Sequence, residues 1–81
     1  MKIECVLHAY LREKFGRASE PLELPNSARL QDAVNLLAKR HPDLVPLLPR
    51  LKYALNDEFV DLQARLSEGD RVDLLPPFGG G

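Results

Sequence analysis

From Lys2 onward apolar and polar residues alternate. Ile3, Cys5, Leu7 and Ala9 fall on one parity; Lys2, Glu4, His8 and Tyr10 fall on the other. A period of two puts successive side chains on opposite faces, so this stretch predicts a strand with one buried face. Leu11 to Phe15 predicts a short helical turn, ended by Gly16, because glycine readily takes the left-handed backbone that closes a helix. Glu20 to Leu24 predicts a second, short strand. Pro21 has no N–H for a ladder, so that strand starts there or lies at an edge. Pro25-Asn26-Ser27 is turn chemistry.

The period then changes. Leu30, Ala33, Val34, Leu37 and Ala38 recur at three and four, with Leu36 on the flank, which predicts one amphipathic helix over about residues 28–40. Ser27 is the best local cap candidate, although no Glu or Gln follows three residues later. Asp32 near the start and Lys39-Arg40 near the end suit the helix dipole. Pro42 stops the helix and pushes His41 towards an extended backbone. Residues 43–50 hold Pro46 and Pro49 among leucines, which predicts an irregular connector with a turn of helix, its leucines closing one end of the core. Lys52 to Leu55 and Phe59 to Val60 predict two short strands around Asn56-Asp57-Glu58. Leu66 is an isolated apolar residue, expected to plug the core, and Glu68-Gly69-Asp70 is a turn. Arg71 to Leu74 alternates again and predicts the last strand. Val72 and Leu74 should face the helix; Arg71, Asp73 and Leu75 should face outward.

The order is strand, strand, helix, short strand, short strand, strand. One helix across one mixed sheet of about five strands is an α+β arrangement of the β-grasp, ubiquitin-like kind, in which each element buries its single apolar face. The first and last strands should lie side by side in the centre. The expected organisation is a domain over residues 1–75 and a flexible tail over residues 76–81.

Composition narrows the function classes. A domain of 81 residues buries only about 60% of the surface its unfolded chain exposes, which leaves little room for an enclosed pocket. Apolar residues make up 44%, which argues against disorder. Eleven basic and twelve acidic residues give a net charge of −1, without the basic footprint of a nucleic-acid binder. A single cysteine excludes an intrachain disulfide and suits a reducing compartment. No apolar run approaches the roughly 20 residues of a membrane span, and the first residues read as a strand rather than a signal peptide. The expectation is a soluble cytoplasmic protein.

Little of the chain carries side-chain chemistry. Cys5 shares the parity of Ile3 and Leu7, so it reads as a buried small apolar residue rather than a nucleophile. His8 and His41 lie far apart, with no metal-ligand spacing around either. There is no convincing nucleophile–base pair and no phosphate-cradling glycine loop between a strand and a helix. The ending, Pro76-Pro77-Phe78-Gly79-Gly80-Gly81, is the most informative segment. Taken alone it also suits an incidental glycine-rich end. Yet the two prolines favour extended geometry and project the chain away from the sheet. From Pro77 to Gly81 the reach is roughly 16 Å. Phe78 could anchor the tail on a partner, and the glycines could then thread a channel too narrow for side chains. If the first and last strands are neighbours, His8, Tyr10, Phe59 and Leu75 could form one exposed apolar patch beside the tail, the mark of a protein interface. The alternative is that Phe59 and Leu75 are scattered surface residues. Arg12 and Glu13 are either a solvated pair at a turn or partner-facing.

A β-grasp ending in Pro-Pro-Phe-Gly-Gly-Gly, preceded by Leu66-Ser67-Glu68-Gly69-Asp70-Arg71-Val72, resembles the MoaD family, the small subunits of molybdopterin synthase and relatives of ThiS. Ala9-Tyr10-Leu11-Arg12-Glu13 and Ala54-Leu55-Asn56 extend the resemblance over the whole chain. The pattern departs at Gly79, where other members often carry a small or polar residue, and at Arg29, near where relatives often place a capping Thr. The resemblance implies a sulfur carrier with no bound cofactor and no catalytic machinery of its own. An activating enzyme of the MoeB type, resembling an E1, would use ATP to adenylate the Gly81 carboxylate, and a persulfide donor would convert it to a thiocarboxylate (a C-terminal thioglycine). The tail would then enter a large subunit of the MoaE type, in a heterotetramer. There its sulfur would attack a pyranopterin precursor to build the dithiolene. Gly81 is the reacting residue in this reading, and Pro76, Pro77, Phe78, Gly79 and Gly80 insert. His8, Phe59, Leu75 and Arg12 would face the partner. The same tail also serves ubiquitin-like modifiers and the carriers of tRNA and thiamine sulfuration, and a plain β-grasp interaction domain stays open beside them.

Overall fold

The computed structural model describes residues 1–77. The first strand, β1, spans Lys2–Leu7 and buries Ile3, Cys5 and Leu7 against the core. Alternation continues in the sequence to Tyr10, but the strand stops at Leu7. Ala9 takes φ 53°, a conformation uncommon for a residue with a Cβ, and turns the chain into α1, Tyr10–Phe15. Tyr10 therefore lies on a helix and not on the outward face of the first strand. Gly16 ends α1 at φ 72°, its N–H donating to the Arg12 carbonyl at 3.0 Å.

Strand β2, Ser19–Glu23, pairs antiparallel with β1 and forms one edge of the sheet, where Pro21 costs no ladder bond on its open side. Helix α2 spans Leu30–Arg40 and buries Leu30, Ala33, Val34 and Leu37. It starts later than the sequence pattern suggests, and Ser27 does not cap it. Arg29 holds the cap position. Its N–H donates to the Asp32 carboxylate at 2.8 Å, which supplies one half of a capping box. Arginine has no side-chain acceptor, so the first helical N–H groups turn elsewhere: Leu30 donates to the Ala64 carbonyl and Gln31 to the Leu62 carbonyl, each at 2.9 Å. A loop distant in sequence thus takes the place of a capping side chain.

Pro42–Arg50 forms a 3₁₀ stretch that buries Leu44 and packs Leu47 and Leu48 against the core. Strands β3, Lys52–Leu55, and β4, Glu58–Val60, make a hairpin closed by Asn56 and Asp57 at φ 48° and 73°, the left-handed pair a two-residue turn requires. Leu66 is buried, as its isolation in a polar loop predicts. Strand β5, Arg71–Leu75, lies between β1 and β3, parallel to the first and antiparallel to the second. The sheet order is β2-β1-β5-β3-β4, with the first and last strands central. Leu7, Leu22, Leu37, Leu44, Val72 and Leu74 form the middle of the core.

One charged residue is drawn into this frame. Glu20, on β2 opposite Cys5, is 3% exposed. Its carboxylate accepts hydrogen bonds from His41 Nε2 at 2.7 Å, Arg40 at 3.0 Å and Arg17 at 3.4 Å, which staples β2 to the end of α2. Burial pushes the Glu20 carboxyl up, but the bonds from His41 and Arg40 and the charges of His41 and Arg17 outweigh it, and the net direction is downward. A lowered native pKa contributes stability above the unfolded value of about 4.3, and that stability is lost as pH falls through the native value. Glu20→Gln should cost about 2 kcal/mol at neutral pH, since it removes the charge of a buried acceptor that Arg17, Arg40 and His41 share. Denaturant titrations at neutral and strongly acidic pH should show the gap between the two proteins closing as pH falls.

Candidate functional site: the outer sheet face at the root of the tail

The face of the sheet turned away from α2 carries one transverse row: Ser19, Val6, Asp73, Ala54 and Phe59, aligned across all five strands by register. Asp73 sits at its centre. The outward parity expected for it holds, but it is not exposed: only 4% of the residue is accessible. Neighbouring side chains cover it. Asp73 Oδ1 accepts from His8 Nε2 at 2.8 Å, so that nitrogen carries the hydrogen. Asp73 Oδ2 accepts from Arg71 Nε at 3.3 Å and from its terminal nitrogen at 3.1 Å. That terminal nitrogen also donates to Asp57 Oδ1 at 2.7 Å. Asn56 completes the arrangement: its amide oxygen accepts from the Arg71 N–H and its amide nitrogen donates to Asp70, both at 3.0 Å. The β3–β4 hairpin is thereby fastened to the strand that carries the tail.

A shallow concavity of about 260 Å³ opens over this network, lined by His8, Ala54, Asp57, Phe59, Arg71 and Leu75. Phe59 stands on its rim, 74% exposed, and Leu75 is half-buried. β5 ends at Leu75, Pro76 is buried and Pro77 exposed. The chain therefore leaves the domain beside the concavity. Phe78, Gly79, Gly80 and Gly81 lie outside the described residues.

Of the residues expected to face a partner, His8, Phe59 and Leu75 come together here. Arg12 does not: it is exposed on α1, lines no part of the concavity, and makes no side-chain hydrogen bond among the described residues. Tyr10 is likewise elsewhere, on α1 and 40% exposed. The patch is not the uniformly apolar surface its aromatic and aliphatic members suggest. It has an ion-paired floor with an apolar rim. The sequence places Arg71 and Asp73 on the outward face but gives no sign that they, Asp57 and Ala54 form the floor of this concavity. The central position of β5 was the available signal for Asp73, because a charge in a central strand loses water on both sides.

The remaining reactive side chain is withdrawn. Cys5 is 1% exposed, and burial, with some help from the Glu20 charge, pushes its thiol up to about 12. Iodoacetamide at mildly alkaline pH should leave the folded protein unlabelled, with labelling appearing only as denaturant unfolds it. Among the described residues no group of three or more His, Cys, Asp or Glu is placed to hold a metal ion. No helix there is long and apolar enough to cross a membrane.

The sequence pattern of the ThiS family matches residues 5–81, from the first strand through the terminal glycine. The chain belongs to the ThiS family. Within reach of this ThiS-family chain are the molybdopterin synthase sulfur carrier subunit of Chlamydomonas reinhardtii, 32% identical over 83 residues and covering all of both chains, and that of Homo sapiens, 26% identical over 99% of this chain and 94% of the other. Its fold matches SAMP1 from Haloferax volcanii with a TM-score of 0.89 at 26% identity, over the whole of both chains. The β-grasp expected from the order of elements is the fold these ubiquitin-like proteins share.

Proposed function

We propose that this ThiS-family protein is the sulfur carrier of molybdenum cofactor biosynthesis, acting through the carboxyl group of Gly81 in the cytoplasm. The observation that carries this reading is likeness over the full length to molybdopterin synthase sulfur carrier subunits, extending through the terminal glycines.

The chemistry begins with a poor acyl donor, since a free carboxylate has no leaving group. A MoeB-type activating enzyme supplies ATP. A Gly81 carboxylate oxygen attacks the α-phosphorus, pyrophosphate departs, and an acyl adenylate remains. The terminal sulfur of a persulfide attacks the acyl carbon and expels AMP. A thiol then cleaves the resulting acyl disulfide, forming a disulfide with the donor and leaving the thiocarboxylate. In a MoaE-type large subunit this sulfur attacks a side-chain carbon of a pyranopterin precursor, forming a C–S bond as an oxygen substituent leaves that carbon. Water then attacks the acyl carbon, which releases the sulfur to the pterin and restores the carboxylate. Two such transfers build the dithiolene. Acid, base and pterin-binding groups belong to the partner, and the carrier supplies the tail and the docking face. His8, Phe59 and Leu75 seat the large subunit beside the point where the tail departs, while Pro76, Pro77, Phe78, Gly79 and Gly80 reach its active centre.

The likeness to SAMP1, a small archaeal modifier protein, favours a second reading, in which Gly81 is conjugated to lysine amines. Intact mass after incubation with ATP, an activating enzyme and a persulfide donor separates the two. Replacement of one oxygen by sulfur at Gly81, lost on adding the large subunit and the pterin precursor, supports the carrier. A thiocarboxylate that is never consumed moves the carrier to another pathway. Isopeptide adducts in cells, without consumption by the synthase, support the modifier.

A further inference from the structure

The two edges of the sheet are not alike. At β2, Pro21 withholds a donor and its carbonyl accepts from Arg40 at 3.1 Å, so that edge is closed to another strand. Strand β4 has no proline, and among the described residues no side chain bonds to the main chain of Phe59. The Asn56 N–H donates to the Arg71 carbonyl at 2.9 Å, which fixes the alternation along β3: Ala54, two residues back, exchanges its bonds with Asp73 on β5. Ala54 and Phe59 therefore face each other as a non-hydrogen-bonded pair. The Phe59 N–H and C=O consequently point out of the sheet.

On one side of this open edge stands the exposed Phe59 ring. On the other, reaching to Phe59 itself, lies a groove of about 650 Å³ lined by Leu51, Tyr53, Val60 and Leu62 together with Lys52 and Asp61. A strand laid along β4 would place one side chain into the groove and the next against Phe59. Along β4 and its flanks the charges are of one sign, with Asp57 held by Arg71. Residues 57–61, Asp-Glu-Phe-Val-Asp, hold three carboxylates and no cation. Glu58 and Asp61 make no ion pair among the described residues. Symmetric pairing of two copies about Phe59 would set Asp57 against Asp61 twice, which disfavours self-association.

We infer that β4 is a strand-addition site for an extended segment of a partner protein in which basic residues flank an apolar centre. Main-chain bonds to Phe59 would give affinity, and the groove and the carboxylates selectivity. The site is distinct from the concavity over Asp73, sharing Phe59 and Asp57 with it, and does not depend on the sulfur-carrier reading.

The probe is the peptide acetyl-Arg-Val-Phe-Val-Arg-amide, compared with its counterpart carrying Glu for both Arg, titrated into isotope-labelled full-length protein by NMR. The expected result is a shifted and exchange-protected Phe59 amide, with shifts at Val60 and Leu62. Affinity for the acidic peptide should be lower by at least about fivefold. Glu58→Lys should narrow that preference. Phe59→Pro should abolish binding and keep the fold, since the N–H it removes makes no bond to β3; the Glu58→Lys arm stands if that variant fails to fold. Equal binding of both peptides, shifts confined to His8, Arg71 and Leu75, no shift at millimolar peptide, or dimerisation of the free chain through β4 would each overturn the inference.

Discussion

Deleting Gly80 and Gly81 should abolish sulfur transfer and leave the domain as stable as before. Among the described residues the hydrophobic core lies between Ile3 and Leu74, and glycine has no side chain to contribute to a core, so the thermal midpoint should move by less than about 2 °C. What it removes is the acyl group on which the proposed chemistry depends and about two residues of reach, roughly 7 Å at extended rise. The carboxylate of a shortened chain can still be adenylated in principle, but it can no longer arrive where the pterin is held. Thiocarboxylate formation and pterin conversion, assayed separately, distinguish a chain that cannot be charged from one that cannot deliver. Full conversion by the truncated chain would end the sulfur-carrier proposal.

Phe59→Ala should weaken binding to the large subunit by about 2 kcal/mol, near thirtyfold in Kd. Phe59 is an aromatic ring already 74% exposed on the rim of the concavity. Its truncation costs the free domain little, yet it removes apolar area a partner would cover. Leu75→Ala should act in the same direction by about tenfold, with a small loss of stability because Leu75 is half-buried. The two changes flank a common floor, so the double variant should fall short of the product of the single effects. Calorimetry with the large subunit, alongside thermal unfolding of the free variants, reads both quantities. Unchanged Kd in both single variants would remove this face from the interface.

Much of the fold is legible because its determinants are local. The alternation of Ile3, Cys5 and Leu7 and the three-and-four spacing of Leu30, Ala33, Val34 and Leu37 each belong to a single element, and each is buried as its period requires. Gly16 and the Asn56-Asp57 turn are equally local. The errors arise where the determinant is remote. Alternation cannot show that Ala9 will take a positive φ and start a helix at Tyr10. Ser27 is the better cap by residue type, but Arg29 holds the position because carbonyls of residues 62 and 64 reach the helix start. The burial of Asp73 depends on His8, sixty-five residues away in sequence. Glu20 is more legible, because it shares the parity of Leu22 and Leu24, both buried. A carboxylate on a core parity announces cationic partners, although not that they come from the far end of α2. In the site, residue type pointed to Phe59, Leu75 and His8, and the fold adds the ionic floor that relates them.

The parallel pairing of β1 with β5 has a mechanical consequence. Glu4, Cys5, Val6 and Leu7 lie in register with Arg71, Val72, Asp73 and Leu74, running in the same direction. The amino end and the tail thus leave from opposite ends of adjacent strands. Tension applied between them loads the whole ladder in shear, so its bonds must fail together rather than peel one at a time. A machine that grips the tail and draws the chain through a pore meets its greatest resistance at the first strand it reaches, and the domain behaves as a stop. Force spectroscopy pulling between the termini should record one high, cooperative rupture, and pulling across the β3–β4 hairpin a much lower one.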